Sequence, residues 1–198
     1  MLGRPPKQAL HFSKLGHAQR GVLTQEFAQT SLLTVSVCIH KASTQEPERF
    51  LLSKHLLYHY AGRYLLECVS WLCREQRNPG VGNGQAEVIF SNRSQMSYDE
   101  LRGYLCKLRY ATCALKVNID WAVVNPDAIR EAEHSQLAGL QVADAVAASH
   151  YAPPSPNAYG DTEDKYARLL LPTFCRHKRA QQYQQFFDRL IYTSAESA

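Results

Sequence analysis

Gln141 and Asp144 stand three residues apart inside Leu137–Ala148, a run otherwise made of aliphatic and small residues. On a helix that spacing puts both on one face. A carboxylate in such surroundings is paired, ligating or catalytic, because burying an unpaired charge is costly. The plainer alternative is an apolar helix with one aspartate at its exposed end. Asp120 alternates away from the apolar residues around it, and reads equally as a cation ligand or a solvated strand carboxylate. His11, between Leu10 and Phe12, is a candidate phosphate contact or general base near neutrality. A hydrogen-bonded structural histidine is the commoner use of such a residue. Glu133-His134 just ahead of the helix would complete a metal site, but an acid favoured near a helix N-terminus is the preferred reading.

Two further patterns carry chemistry of lower specificity. His55 and His59 have the spacing that holds zinc on a helix. There is no H-E-x-x-H, however, and both share the polar side of a long helix with Arg63 and Glu67, so a solvated face is expected. Arg176, Lys178 and Arg179 form a basic run ahead of Tyr183, Phe186 and Phe187. They suit a nucleic-acid backbone, where phosphate contacts dominate affinity, as well as they suit a solvated helix start. The glycine-rich stretch Asn78–Gly84 lacks the lysine of a phosphate loop and reads as a turn. Spacing alone identifies no Ser/His/Asp triad.

The elements that must position these residues follow from periodicity. Helices are expected over His17–Gln29, from Thr44 to about Gln76, from a capping box at Ser97 and Glu100 through Leu108, over Leu137–Ala148 after a cap at Ser135, and over Thr162–Leu171 and Gln181–Ile191. Strands are expected over Ser31–Ile39, Ala86–Phe90 and Leu115–Val124. Such alternation predicts an α/β layer with a mixed, helix-covered sheet. The 198 residues suffice for a single domain spanning 1–198, with 1–9 and 192–198 expected to be disordered.

Composition excludes little. The chain is 45% hydrophobic and 20% charged, with 22 basic and 18 acidic residues giving a net charge of +4. That permits a nucleic-acid partner without arguing for one. The 6 cysteines form no C-x-x-C pair and read as reduced thiols of a cytoplasmic protein. No apolar run approaches the roughly 20 residues that span a bilayer.

Gly139-Leu140-Gln141-Val142-Ala143-Asp144, with Leu10-His11-Phe12, Ile119–Val123 and Asn125-Pro126-Asp127, resembles a bacterial family known only as domain of unknown function 3800. The similarity runs from Leu10 to about Leu171. It implies a ribonuclease H-like fold. It also implies a nuclease-like, metal-dependent phosphodiesterase in which carboxylates gather Mg²⁺ or Mn²⁺, with Asp144 and Asp120 as ligands and Gln141 and His11 beside them. Members of that family open with a strand carrying Asp-Glu, followed by a second apolar strand. Neither is found here, and Ser91-Asn92-Arg93 stands where a further aspartate is expected. The resemblance therefore implies an N-terminally truncated chain with a divergent C-terminus, lacking its first strands and weak or inactive as an enzyme. A homo-oligomer, or a partner completing the sheet, would cover the exposed edge. The alternative is a non-enzymatic module that binds nucleic acid or protein.

Overall fold

The computed structural model describes residues 9–39, 55–92, 96–110, 117–150 and 165–175. The described residues combine helices with a small parallel sheet, a mixed α and β structure. In chain order the elements are α1 (His17–Ala28), α2 (Leu56–Glu75), β1 (Ile89–Ser91), α3 (Tyr98–Tyr110), β2 (Arg130–Ala132), α4 (Ala138–His150) and α5 (Lys165–Leu169). Single 3-10 turns occur at Phe12–Lys14, Pro126–Ala128 and Leu171–Thr173. Among the described residues no helix is long and apolar enough to cross a membrane. The chain gathers into two compact units.

The first unit contains residues 9–36, 89–92, 130–150 and 165–174 of the described set. Its core is Phe12, Leu15, Leu23, Ala145 and Tyr166, with Leu10, Phe27 and Ala148 packed against it. Three helices thus contribute one apolar side each, and the turn after His11 is pinned by the burial of Phe12. The Phe12 ring meets Tyr166 edge-on, centroids 5.6 Å apart. Arg20 of α1 reaches back to donate to the carbonyls of Phe12 and Ser13 at 3.1 and 2.9 Å. β1 and β2 pair in parallel, Ile89 opposite Arg130 and Ser91 opposite Ala132. One further bond, Asn92 N–H to the Ala132 carbonyl at 2.8 Å, extends the pairing.

The strand expected over Ser31–Ile39 reduces to one isolated bridge, Thr34 with Phe174. The segment beside it is a 3-10 turn containing Pro172. A proline has no N–H to donate, and a turn offers no repeating ladder.

The second unit contains residues 37–39, 55–88, 96–110, 117–129 and 175 of the described set. Leu66 and Trp71 of α2, Leu101, Leu105 and Leu108 of α3, and Ile119, Val123, Val124 and Ile129 are buried there. The Ser97 hydroxyl accepts the Glu100 N–H at 3.3 Å, one half of the expected capping box. The segment expected as a strand over Leu115–Val124 carries a turn at 121–123 instead. Its backbone is held by helix side chains. Glu67 accepts the Asn118 N–H at 3.2 Å, Trp71 donates to the Asn118 carbonyl at 2.7 Å, and Ser70 accepts the Asp120 N–H at 3.0 Å. Successive inward positions of α2 take the bonds a neighbouring strand would supply.

The polar side of α2 is not solvated. His59, Arg63 and Glu67 are only 7%, 6% and 0% exposed. Arg63 donates to Glu67 at 3.1 Å, and the His59 ring stacks on Tyr104 of α3 at 5.6 Å. The charges sit inside because they satisfy one another and because Glu67 also anchors the 118 segment. The helices expected from Thr44 and over Gln181–Ile191 lie wholly or partly outside the described residues, as do 1–8 and 192–198.

Candidate functional site

The site begins with an extended residue. His11 has φ −116° and ψ 115°. Alternate residues of such a segment present their N–H groups to the same edge. The Leu10 and Phe12 N–H groups therefore face one neighbour, which is α4. Gln141 Oε1 accepts the Leu10 N–H at 2.8 Å, and Asp144 Oδ2 accepts the Phe12 N–H at 3.3 Å. The three-residue spacing read on the helix matches the two-residue repeat of the extended chain.

His134 reaches the same place by another route. β2 ends at Ala132, and the turn that follows leads into α4. Glu133 is held outward, its carboxylate accepting from the Asn92 side chain at 2.8 Å. His134 turns inward, with Nε2 2.9 Å from the Leu10 carbonyl. A carbonyl can only accept, so Nε2 carries the hydrogen of this bond. The His134 ring lies on that of His11, centroids 4.7 Å apart and planes 12° from parallel.

His11, His134 and Asp144 each offer one donor atom, and these atoms lie within 4.8 Å of one another. All three side chains are partly buried. Among the described residues this is the one convergence of three such groups. Ligands about 2.1 Å from a shared ion stand about 3.4 Å apart in tetrahedral arrangement. Closing that difference requires the two stacked rings to tilt apart, since each imidazole lone pair lies in its own ring plane. Two imidazoles and one carboxylate suit first-row transition ions, Mn²⁺ among them, better than Mg²⁺, which favours an all-oxygen shell.

No family model, curated protein or solved structure matches the chain. The chemistry of the site therefore rests on its own geometry.

Asp120 is placed in the second unit. One of its oxygens pairs with Arg74 at 2.9 Å and the other accepts the Ala122 N–H at 3.1 Å. Arg74 is a partner that sequence spacing did not suggest. His55 and His59 lie 6.3 Å apart by ring centroid with no third donor among the described residues. Arg176, Lys178 and Arg179 fall outside the described residues. The residue that sequence reasoning undervalued is His134. Its local setting, next to Glu133 and before a helix, has an ordinary explanation, whereas its bond to Leu10 spans 124 positions.

Proposed function

We propose that this chain is a metal-dependent, nuclease-like phosphodiesterase of the cytoplasm, related to the domain of unknown function 3800 family and its ribonuclease H-like fold. The observation that carries the reading is that donor atoms of His11, His134 and Asp144 lie within 4.8 Å of one another. These three residues would hold a divalent cation, with Mn²⁺ favoured over Mg²⁺ by the two imidazoles. Such an ion supplies Lewis-acid polarisation of a phosphoryl oxygen and lowers the pKa of water.

The protein's own contribution is positional. Asp144 brings the only carboxylate of the group, and its hydrogen bond from Phe12 orients it. His134 is oriented by Leu10 and stacked on His11, so two rings are fixed together. A single carboxylate supports one cation rather than a bridged pair, which fits slow turnover.

The test is calorimetric titration with Mn²⁺, Mg²⁺ and Zn²⁺, with oligonucleotide cleavage followed on the same samples. Wild type is expected to bind Mn²⁺ or Zn²⁺ more tightly than Mg²⁺, and to cleave slowly when loaded. His134→Ala is expected to lose at least about tenfold in affinity and to cleave no faster than buffer. A folded wild-type protein that binds none of the three ions removes the enzyme reading. Salt-sensitive nucleic-acid binding that persists in that sample would then assign a binding module.

A further inference from the structure

We propose that Gln141 is a positioning residue of this site, acting on His134 through the main chain of Leu10 and not through Asp144. The inference rests on reading His11, His134 and Asp144 as a cation site.

The relay has two bonds and one residue between them. Gln141 Oε1 accepts the Leu10 N–H at 2.8 Å, and the Leu10 carbonyl accepts Nε2–H of His134 at 2.9 Å. Both Leu10 groups face the same edge of the extended segment, so one side chain on α4 sets where the carbonyl stands. The carbonyl in turn selects the ring form of His134. With the hydrogen on Nε2, the lone pair of the neutral ring is on Nδ1, the atom left to take a cation. Fixing the far nitrogen of a ligating histidine is the usual way in which its tautomer and orientation are set.

Gln141 also steadies His11, the next residue after Leu10. Phe12 is fastened three times over, by the Asp144 carboxylate, by Arg20 and by the apolar core. Leu10 is held at its N–H by Gln141, at its carbonyl by His134, and by a partly buried side chain packed on the core. Of these, Gln141 is the side-chain acceptor of the Leu10 N–H, on the amino-terminal side of His11.

Removing that acceptor should free the Leu10 peptide, let His134 populate both neutral tautomers, and loosen both rings at once. Asp144 keeps its own bond to Phe12, so the carboxylate stays in place. This separates a relay through Leu10 from direct support of Asp144.

The experiment has two readouts on the full chain, with circular dichroism and thermal melting as the fold check. The first is Mn²⁺ affinity by calorimetry. The second is the pair of ring ¹⁵N shifts of His134 in metal-free protein at mildly alkaline pH. Wild type is expected to show a protonated Nε2 and a bare Nδ1. Gln141→Leu is expected to average the two nitrogens and weaken Mn²⁺ binding about 10- to 100-fold. Gln141→Glu keeps an acceptor for the Leu10 N–H, and should restore both readouts to within about threefold of wild type. Gln141→Asn, polar but one methylene too short, gives the same test if the leucine variant does not fold. Gln19→Ala removes a comparable side-chain bond, to the Gly16 N–H at 3.2 Å, that involves neither Leu10 nor the three site residues, and should change neither readout. A folded Gln141→Leu or Gln141→Asn protein with wild-type nitrogen shifts overturns the relay, whether or not Mn²⁺ binds. Altered shifts in a protein whose wild type binds no ion would sustain the relay and remove the cation site instead.

Discussion

Asp144 has two tasks at once, and two substitutions separate them. One oxygen accepts the Phe12 N–H at 3.3 Å, and the carboxylate completes the group with His11 and His134. Asparagine keeps an acceptor for Phe12 but loses the charge. Asp144→Asn should therefore melt close to wild type, within about 1 kcal/mol, and bind Mn²⁺ at least about tenfold more weakly. Asp144→Ala removes both, so it should lose affinity and also about 1 kcal/mol of stability from the unanswered N–H. Calorimetry and urea unfolding on the two variants measure the difference. The face shared by Gln141 and Asp144 was legible in the sequence, because helical spacing alone places it. What those side chains hold was not legible. Their partners are main-chain groups of Leu10 and Phe12, and any residue type supplies an N–H.

At the scale of elements, α2 shows how a pattern can be read with the right period and the wrong environment. His55, His59, Arg63 and Glu67 fall on one helical side, as spacing predicts. That side faces Tyr104 and the 118 segment, not water. Charged residues at regular intervals usually mark a solvated face, and nothing local distinguishes a helix whose charges are paired inside. The consequence is measurable. Glu67→Leu removes the carboxylate that Arg63 and the Asn118 N–H share in a buried place. It should cost about 3–5 kcal/mol in urea unfolding. The double variant Arg63→Met with Glu67→Leu removes both charges and should recover part of that loss. The same helix explains the missing strand at 117–124. Alternation of apolar residues there was real, and Ile119 and Val123 are buried, but alternation records burial and not the identity of the hydrogen-bonding neighbour. Helices α1, α3 and α4 match their expected bounds to within about two residues because their apolar sides lie within the elements themselves, but the cap expected at Ser135 lies in a turn, and α4 begins only at Ala138.

For the molecule as a whole, acid should weaken the second unit. His59 is buried, its Nε2 lacks a hydrogen-bond partner among the described residues, and burial holds its pKa below the ordinary 6.5, with Glu100 opposing and His55 assisting. Above that value neither folded nor unfolded chain carries the proton. As pH falls through it, the unfolded chain takes up a proton that the buried ring resists, so stability declines. The urea midpoint should drop between pH 7.5 and pH 5.5. His59→Phe, which keeps a flat ring against Tyr104, should drop less over the same interval.

The grip of α4 on Leu10 and Phe12 also fixes when the site comes into being. Its two bonds close loops of 131 and 132 positions. Contacts so distant along the chain carry a large closure entropy and form late in a folding reaction. A nascent polypeptide has His11 outside the ribosome long before α4 is synthesised. Until then His11 stands without His134 and Asp144 beside it. The group formed by His11, His134 and Asp144 is thus complete only after α4 has been made.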